Sequence, residues 1–152
     1  MSRGLSPVVG TVLLVALTVG LAATVGTIAL GTETPEPAPN ARLTLSSDAA
    51  TDRIAITHEG GDPVPVEALR VEVAVDGEPL AHQPPVPFFA AEGFRSGPTG
   101  PFNSATDDPW LAGETAGFRL AGTNDPSLEP GSRVVVELYH ADTRIASLES
   151  VS

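Results

Sequence analysis

The chain has 152 residues, enough for one modest domain plus an extension. Its formal net charge is −11 and all eight basic residues are arginine, which argues against nucleic acid as a partner, because a phosphate backbone demands a basic surface. The absence of cysteine excludes a disulfide framework, a thiolate zinc site, a thiol nucleophile and a lipid anchor on cysteine.

The acidic excess begins at Glu33 and spreads over everything that follows. Such a surface stays hydrated in high salt, where charge is screened over about 3 Å at 1 M, and suits a halophile's exterior. A GC-rich coding sequence favours the same arginine usage.

From Gly4 to Thr32 no side chain is charged, and Val8 to Leu30 consists of Val, Leu, Ala, Ile, Thr and Gly. As a helix this run is about 35 Å long, enough to cross a hydrocarbon core of about 30 Å. Ser6 and Pro7 suit a helix start. Arg3 on one flank and Glu33 and Glu36 on the other place the N-terminus in the cytoplasm and the remainder outside. Ala16, Gly20, Ala23, Thr24, Thr27 and Gly31 fall on one stripe of the helix. Small residues on one stripe let neighbouring helices approach closely, so this is the expected assembly face.

The residues Arg3, Gly4, Leu5, Ser6, Pro7, Val8, Val9 and Gly10, read together with the long apolar run, resemble the N-terminus of an archaeal type IV pilin. The resemblance implies a class III signal peptide, residues 1–4, cut by a prepilin peptidase between Gly4 and Leu5. Arg3, Gly4, Leu5, Ser6 and Pro7 would form the cleavage site, and the helix over 5–31 would be retained. It further implies assembly with other pilin subunits after residence in the membrane, in an extracellular pilus that supports adhesion. The segment from Thr57 to Val73 also resembles exported parts of haloarchaeal pilins. Bacterial pilins carry a glutamate where this chain has Val9, so assembly here would rest on apolar packing. Two alternatives remain open at this level. Ordinary signal peptidase could cut near Ala29-Leu30-Gly31, or the helix could be an uncleaved anchor for an extracellular binding module that does not polymerise.

Residues 32–40, with three prolines and two glutamates, read as an extended linker. Beyond it, alternation of apolar and polar positions predicts short strands around Leu43 and Leu45, around Ile54, Ile56 and His58, and from Leu69 to Val75. Asp76-Gly77 is a hairpin turn signal. Phe118 and Leu120, Val134 to His140, and Ile145 with Leu148 mark further strands. The expected fold class is α+β in lollipop form, a long N-terminal helix followed by an immunoglobulin-like antiparallel sandwich over 41–152.

Between Pro84 and Trp110 the alternation lapses, yet this stretch holds Phe88, Phe89, Phe94, Phe102 and Trp110. These aromatics either fold the loop onto the sandwich as a satellite core or form a surface contact. No catalytic constellation emerges, and no cofactor or metal site is expected. His58, His82 and His140 are far apart, and His58 with Glu59 and Asp62 matches no metal loop; "HEGGD" reads as a turn through Gly60 and Gly61. The sequence reads as a structural protein rather than an enzyme.

Overall fold

The computed structural model describes residues 4–31 and 36–152. They fall into two compact units that divide between Pro37 and Ala38. The first contains one helix, α1 (Leu5–Gly31). It begins two residues ahead of Pro7, which therefore sits in the first turn, where a missing N–H removes no intrahelical bond. Three of its threonines turn their hydroxyls back onto the helix. Thr11 Oγ1 donates to the carbonyls of Val8 (2.9 Å) and Pro7 (3.1 Å), and Thr18 Oγ1 donates to Leu14 O at 2.7 Å. Thr24 Oγ1 does the same to Leu21 O at 2.8 Å. Each hydroxyl thus has an acceptor within its own helix, which is what a segment placed in hydrocarbon requires.

The second unit contains seven strands: β1 (Ala41–Asp48), β2 (Arg53–Gly61), β3 (Leu69–Val75), β4 (Glu78–Pro79), β5 (Thr115–Arg119), β6 (Arg133–His140) and β7 (Thr143–Val151). They form two antiparallel sheets, ordered β1-β2-β5 and β4-β3-β6-β7. Lettered as in an immunoglobulin sandwich, these are A-B-E and C′-C-F-G. Residues 94–99 run antiparallel along the free edge of β5, in the place of strand D. Arg95 N donates to Arg119 O at 3.0 Å, and Thr99 and Gly117 exchange bonds of 2.8 and 3.1 Å.

Period-two alternation places Ile54, Ile56 and His58 of β2 inward, opposite Val71 and Val73 of β3 and Val134, Val136 and Leu138 of β6, all essentially inaccessible. At one side of the sandwich Ser47 of β1 and Ser150 of β7 share a hydrogen bond of 2.7 Å, linking the two sheets. Asp76 and Gly77 join β3 to β4 with φ of 52° and 83°. Positive φ at both central residues is the hairpin geometry that an Asp-Gly pair favours.

Two expectations need correction. "HEGGD" is not a turn: β2 continues through Gly61, with Gly60 opposite Arg42 and Gly61 opposite Ala41. Glu59 is the extra residue of a bulge between Arg42 and Leu43, so the two glycines stay in the ladder. Gly61 adopts φ +103°, and a Cβ there would lie 2.3 Å from Asn40 O, so glycine is required by the close approach of the incoming chain. The second correction concerns the 84–110 segment. Its aromatics form no satellite; Phe88, Phe94, Phe102 and Trp110 belong to the single core shared by both sheets.

Candidate functional site: the apolar helix

The Leu and Val side chains of α1 from Leu5 to Val25 are 55–66 % exposed. Fully burying one such side chain contributes about 1.5–3 kcal/mol, so an array of this length in water is unfavourable by tens of kcal/mol. An apolar surface on every side of a helix demands hydrocarbon or other apolar helices around it. Residues Leu5–Gly26 are long and apolar enough to cross a membrane.

On this helix Ala16, Gly20, Ala23 and Thr24 are exposed, like the helix's other described residues up to Val25. A Cβ added at Gly20 would meet nothing within 4 Å, and the same is true at Gly10 and Gly26. Among the described residues no packing explains the absence of side chains at these positions. Thr27 and Gly31 lie in the helix, with side chains outside those described. Of the expected cleavage residues, Arg3 lies outside the described residues. Gly4 is open on all sides, and Leu5, Ser6 and Pro7 are exposed in the first turn. The linker residues 32–35 are likewise outside the description.

The five loop aromatics do not form one surface. Trp110 and Phe102 are inaccessible, their rings 5.3 Å apart, and the indole Nε1 donates to Glu114 O at 3.0 Å. Phe94 meets Phe118 edge-on at 5.4 Å and Phe88 at 5.5 Å. A surface-contact role is thereby excluded for Phe88, Phe94, Phe102 and Trp110 in the folded domain, because aromatic area of this size is the most favourable surface to bury. Phe89 alone of the five is exposed, at 60 %.

His58 is fully buried, its Nε2 donating to Asp62 O at 2.8 Å and its ring edge-on to Trp110 at 5.9 Å. Its Nδ1 is buried with no hydrogen-bond partner, and Glu59 points away to Thr44 Oγ1. His82 lies 3.8 Å from Glu92, and His140 closes β6. Among the described residues no three His, Asp or Glu side chains are arranged to hold a metal ion.

One feature escaped the sequence reading. A cavity of about 300 Å³ on the β-sandwich is lined by Arg53, Arg95 and Arg119. The three are scattered in the sequence, and only the pairing of β2 with β5 and of residues 94–99 with β5 brings them together.

Two comparisons with known proteins bear on the chain. An uncharacterized protein of Archaeoglobus fulgidus is 37% identical over 73 residues, which is 47% of this chain and 52% of that protein. The chain thus spans about half the length of that curated relative. Residues 3–43, which contain the whole apolar helix and the start of β1, match the family described as archaeal type IV pilin, N-terminal.

Proposed function

We propose that this chain is a structural subunit of an archaeal type IV pilus. The observation that carries the reading is a helix apolar and exposed on every side, within the stretch that matches the pilin N-terminal family. The precursor sits in the membrane with its N-terminus in the cytoplasm and its β domain outside. Prepilin peptidase cuts between Gly4 and Leu5, and the retained helices leave the bilayer to bundle with other subunits. Lipid tails and neighbouring apolar helices are similar solvents, so close packing along Ala16, Gly20, Ala23 and Thr24 tips the balance towards the filament. Such a contact is heterologous and does not close, so subunits add helically without limit. The outward-facing domains support adhesion of the extracellular pilus.

Mass spectrometry of the chain recovered from sheared surface filaments tests this directly. A mature N-terminus at Leu5 within filaments is the expected result. A chain beginning at Met1 or Thr32, or recovered only as dispersed molecules, overturns the proposal; a membrane-bound Met1 form would point instead to an anchored binding module.

A further inference from the structure

We infer that the cavity bounded by Arg53, Arg95 and Arg119 is a binding site for a carboxylated saccharide. It stands on the geometry of the β domain and is independent of helix assembly. The surrounding chain is strongly acidic, with 19 Asp and Glu against 8 basic residues. Three of the four arginines elsewhere on the domain reach a carboxylate: Arg133 reaches Glu149 at 2.6 Å, Arg144 reaches Glu137 at 3.0 Å, and Arg70 pairs with Glu72. In the cavity Arg53 and Arg119 do not. Arg119 has no ion pair or hydrogen bond from its side chain among the described residues. Arg53 makes one long contact, 3.4 Å from Nη2 to Thr99 Oγ1. Arg95 lies 3.8 Å from Asp52 and remains 59 % exposed.

Arg53 and Arg119 are also direct cross-strand partners in the β2–β5 ladder. Like charges placed directly opposite one another destabilise a sheet. Two facing arginines without a carboxylate between them are thus unfavourable in the empty domain and become favourable once an oxyanion lies between them. Guanidinium forks match the two oxygens of a carboxylate, and the hydroxyl of Ser96 beside them suits a hydroxyl of a sugar.

The cavity's size fits one acidic sugar ring, at the lower end of the range for ligand pockets. The overall negative charge gives no long-range attraction for a free anion, so the site acts at contact distance. A polymer that offers a carboxylate on every sugar overcomes a weak single site through many simultaneous contacts with many copies of the domain. A repeating uronate polymer is therefore favoured over a free ion.

The test uses the full chain, unassembled in nonionic detergent micelles, titrated by calorimetry with trigalacturonate. Maltotriose serves as the neutral control and inorganic sulfate as the free-ion control. The expected result is binding of trigalacturonate, none of maltotriose, and markedly weaker binding of sulfate. Arg119→Gln and, separately, Arg53→Gln should each weaken trigalacturonate binding about tenfold or more. Each variant should unfold, without ligand, at or above the wild-type temperature, which a purely structural role for the arginines would not give. No trigalacturonate binding, equal affinity for sulfate, or unchanged affinity in both variants overturns the inference. Self-association of the wild-type chain that is lost in either variant also overturns it, because the cavity would then take the carboxylates of a second copy.

Discussion

Replacing Gly20 by leucine separates packing inside one subunit from packing between subunits. Among the described residues the change meets no neighbour, since nothing outside the helix's own adjacent backbone lies within 4 Å of an added Cβ. It improves the isolated helix, by about 0.5–1 kcal/mol of intrinsic propensity, and adds apolar surface that favours membrane insertion. In a filament whose helices approach along this stripe, the extra side chain overpacks the contact by about 1–3 kcal/mol per subunit. At about 1.4 kcal/mol per factor of ten, that raises the critical concentration for assembly from about fivefold to more than a hundredfold. Gly26→Leu is the control: an added Cβ there also meets no described neighbour within 4 Å, but the site lies about 120° around the helix from Gly20. The assay is the ratio of sheared filaments to membrane-bound chain on immunoblots. Gly20→Leu should lose filaments while processing and membrane content hold, and Gly26→Leu should lose far fewer. Wild-type filament yield from Gly20→Leu, or an equal loss from both variants, refutes packing along this face.

Two further outcomes follow from the β domain. Trp110→Ala should destabilise it by about 3–5 kcal/mol in chemical denaturation of the detergent-solubilised chain, whereas Phe89→Ala should stay within about 0.5 kcal/mol of wild type; similar losses from both would contradict their placement in and outside the core. The single tyrosine, Tyr139, donates its hydroxyl to Glu137 Oε2 at 2.8 Å, and this hydrogen bond raises its pKa above the ordinary value near 10. The raised value means that the stabilisation is complete below the unfolded-state pKa and is lost as pH climbs through the folded one. Ultraviolet titration of tyrosinate should show a midpoint above the ordinary value that falls in Glu137→Gln; a midpoint at or below the ordinary value in the wild-type chain contradicts the pairing.

The sheets were largely legible in the sequence because one face of each long strand is buried, and burial of one face imposes strict alternation. Leu69, Val71, Val73 and Val75 display it, and Asp76-Gly77 announces the turn that follows. Other features left weaker marks. The β6–β7 hairpin turns through Ala141 at φ 51°, a conformation that alanine does not advertise, held by the pairing of His140 with Thr143. β4 is two residues long and ends in Pro79, too short for any period. The glycines of "HEGGD" read as a turn because local preference says nothing of the carbonyl of Asn40 that presses against Gly61. The aromatics from Phe88 to Trp110 carry no alternation, since they enter the core from irregular backbone, and their burial is decided by tertiary packing alone. For the helix, composition revealed an apolar rod, but not that an added Cβ at Gly20 would meet no neighbour among the described residues. The arginine cavity depends on register between distant strands, which no local pattern encodes.

In a filament the β domains would be held side by side at very high local density, the circumstance in which unpaired strand edges recruit one another. Two borders of this domain are blunted: the free side of β5 is occupied by residues 94–99, and β4 stops after two residues at a proline. Such blunted borders let neighbouring heads crowd together without fusing into a continuous β-ribbon, leaving cohesion to the rods and keeping the outer coat exchangeable with solvent.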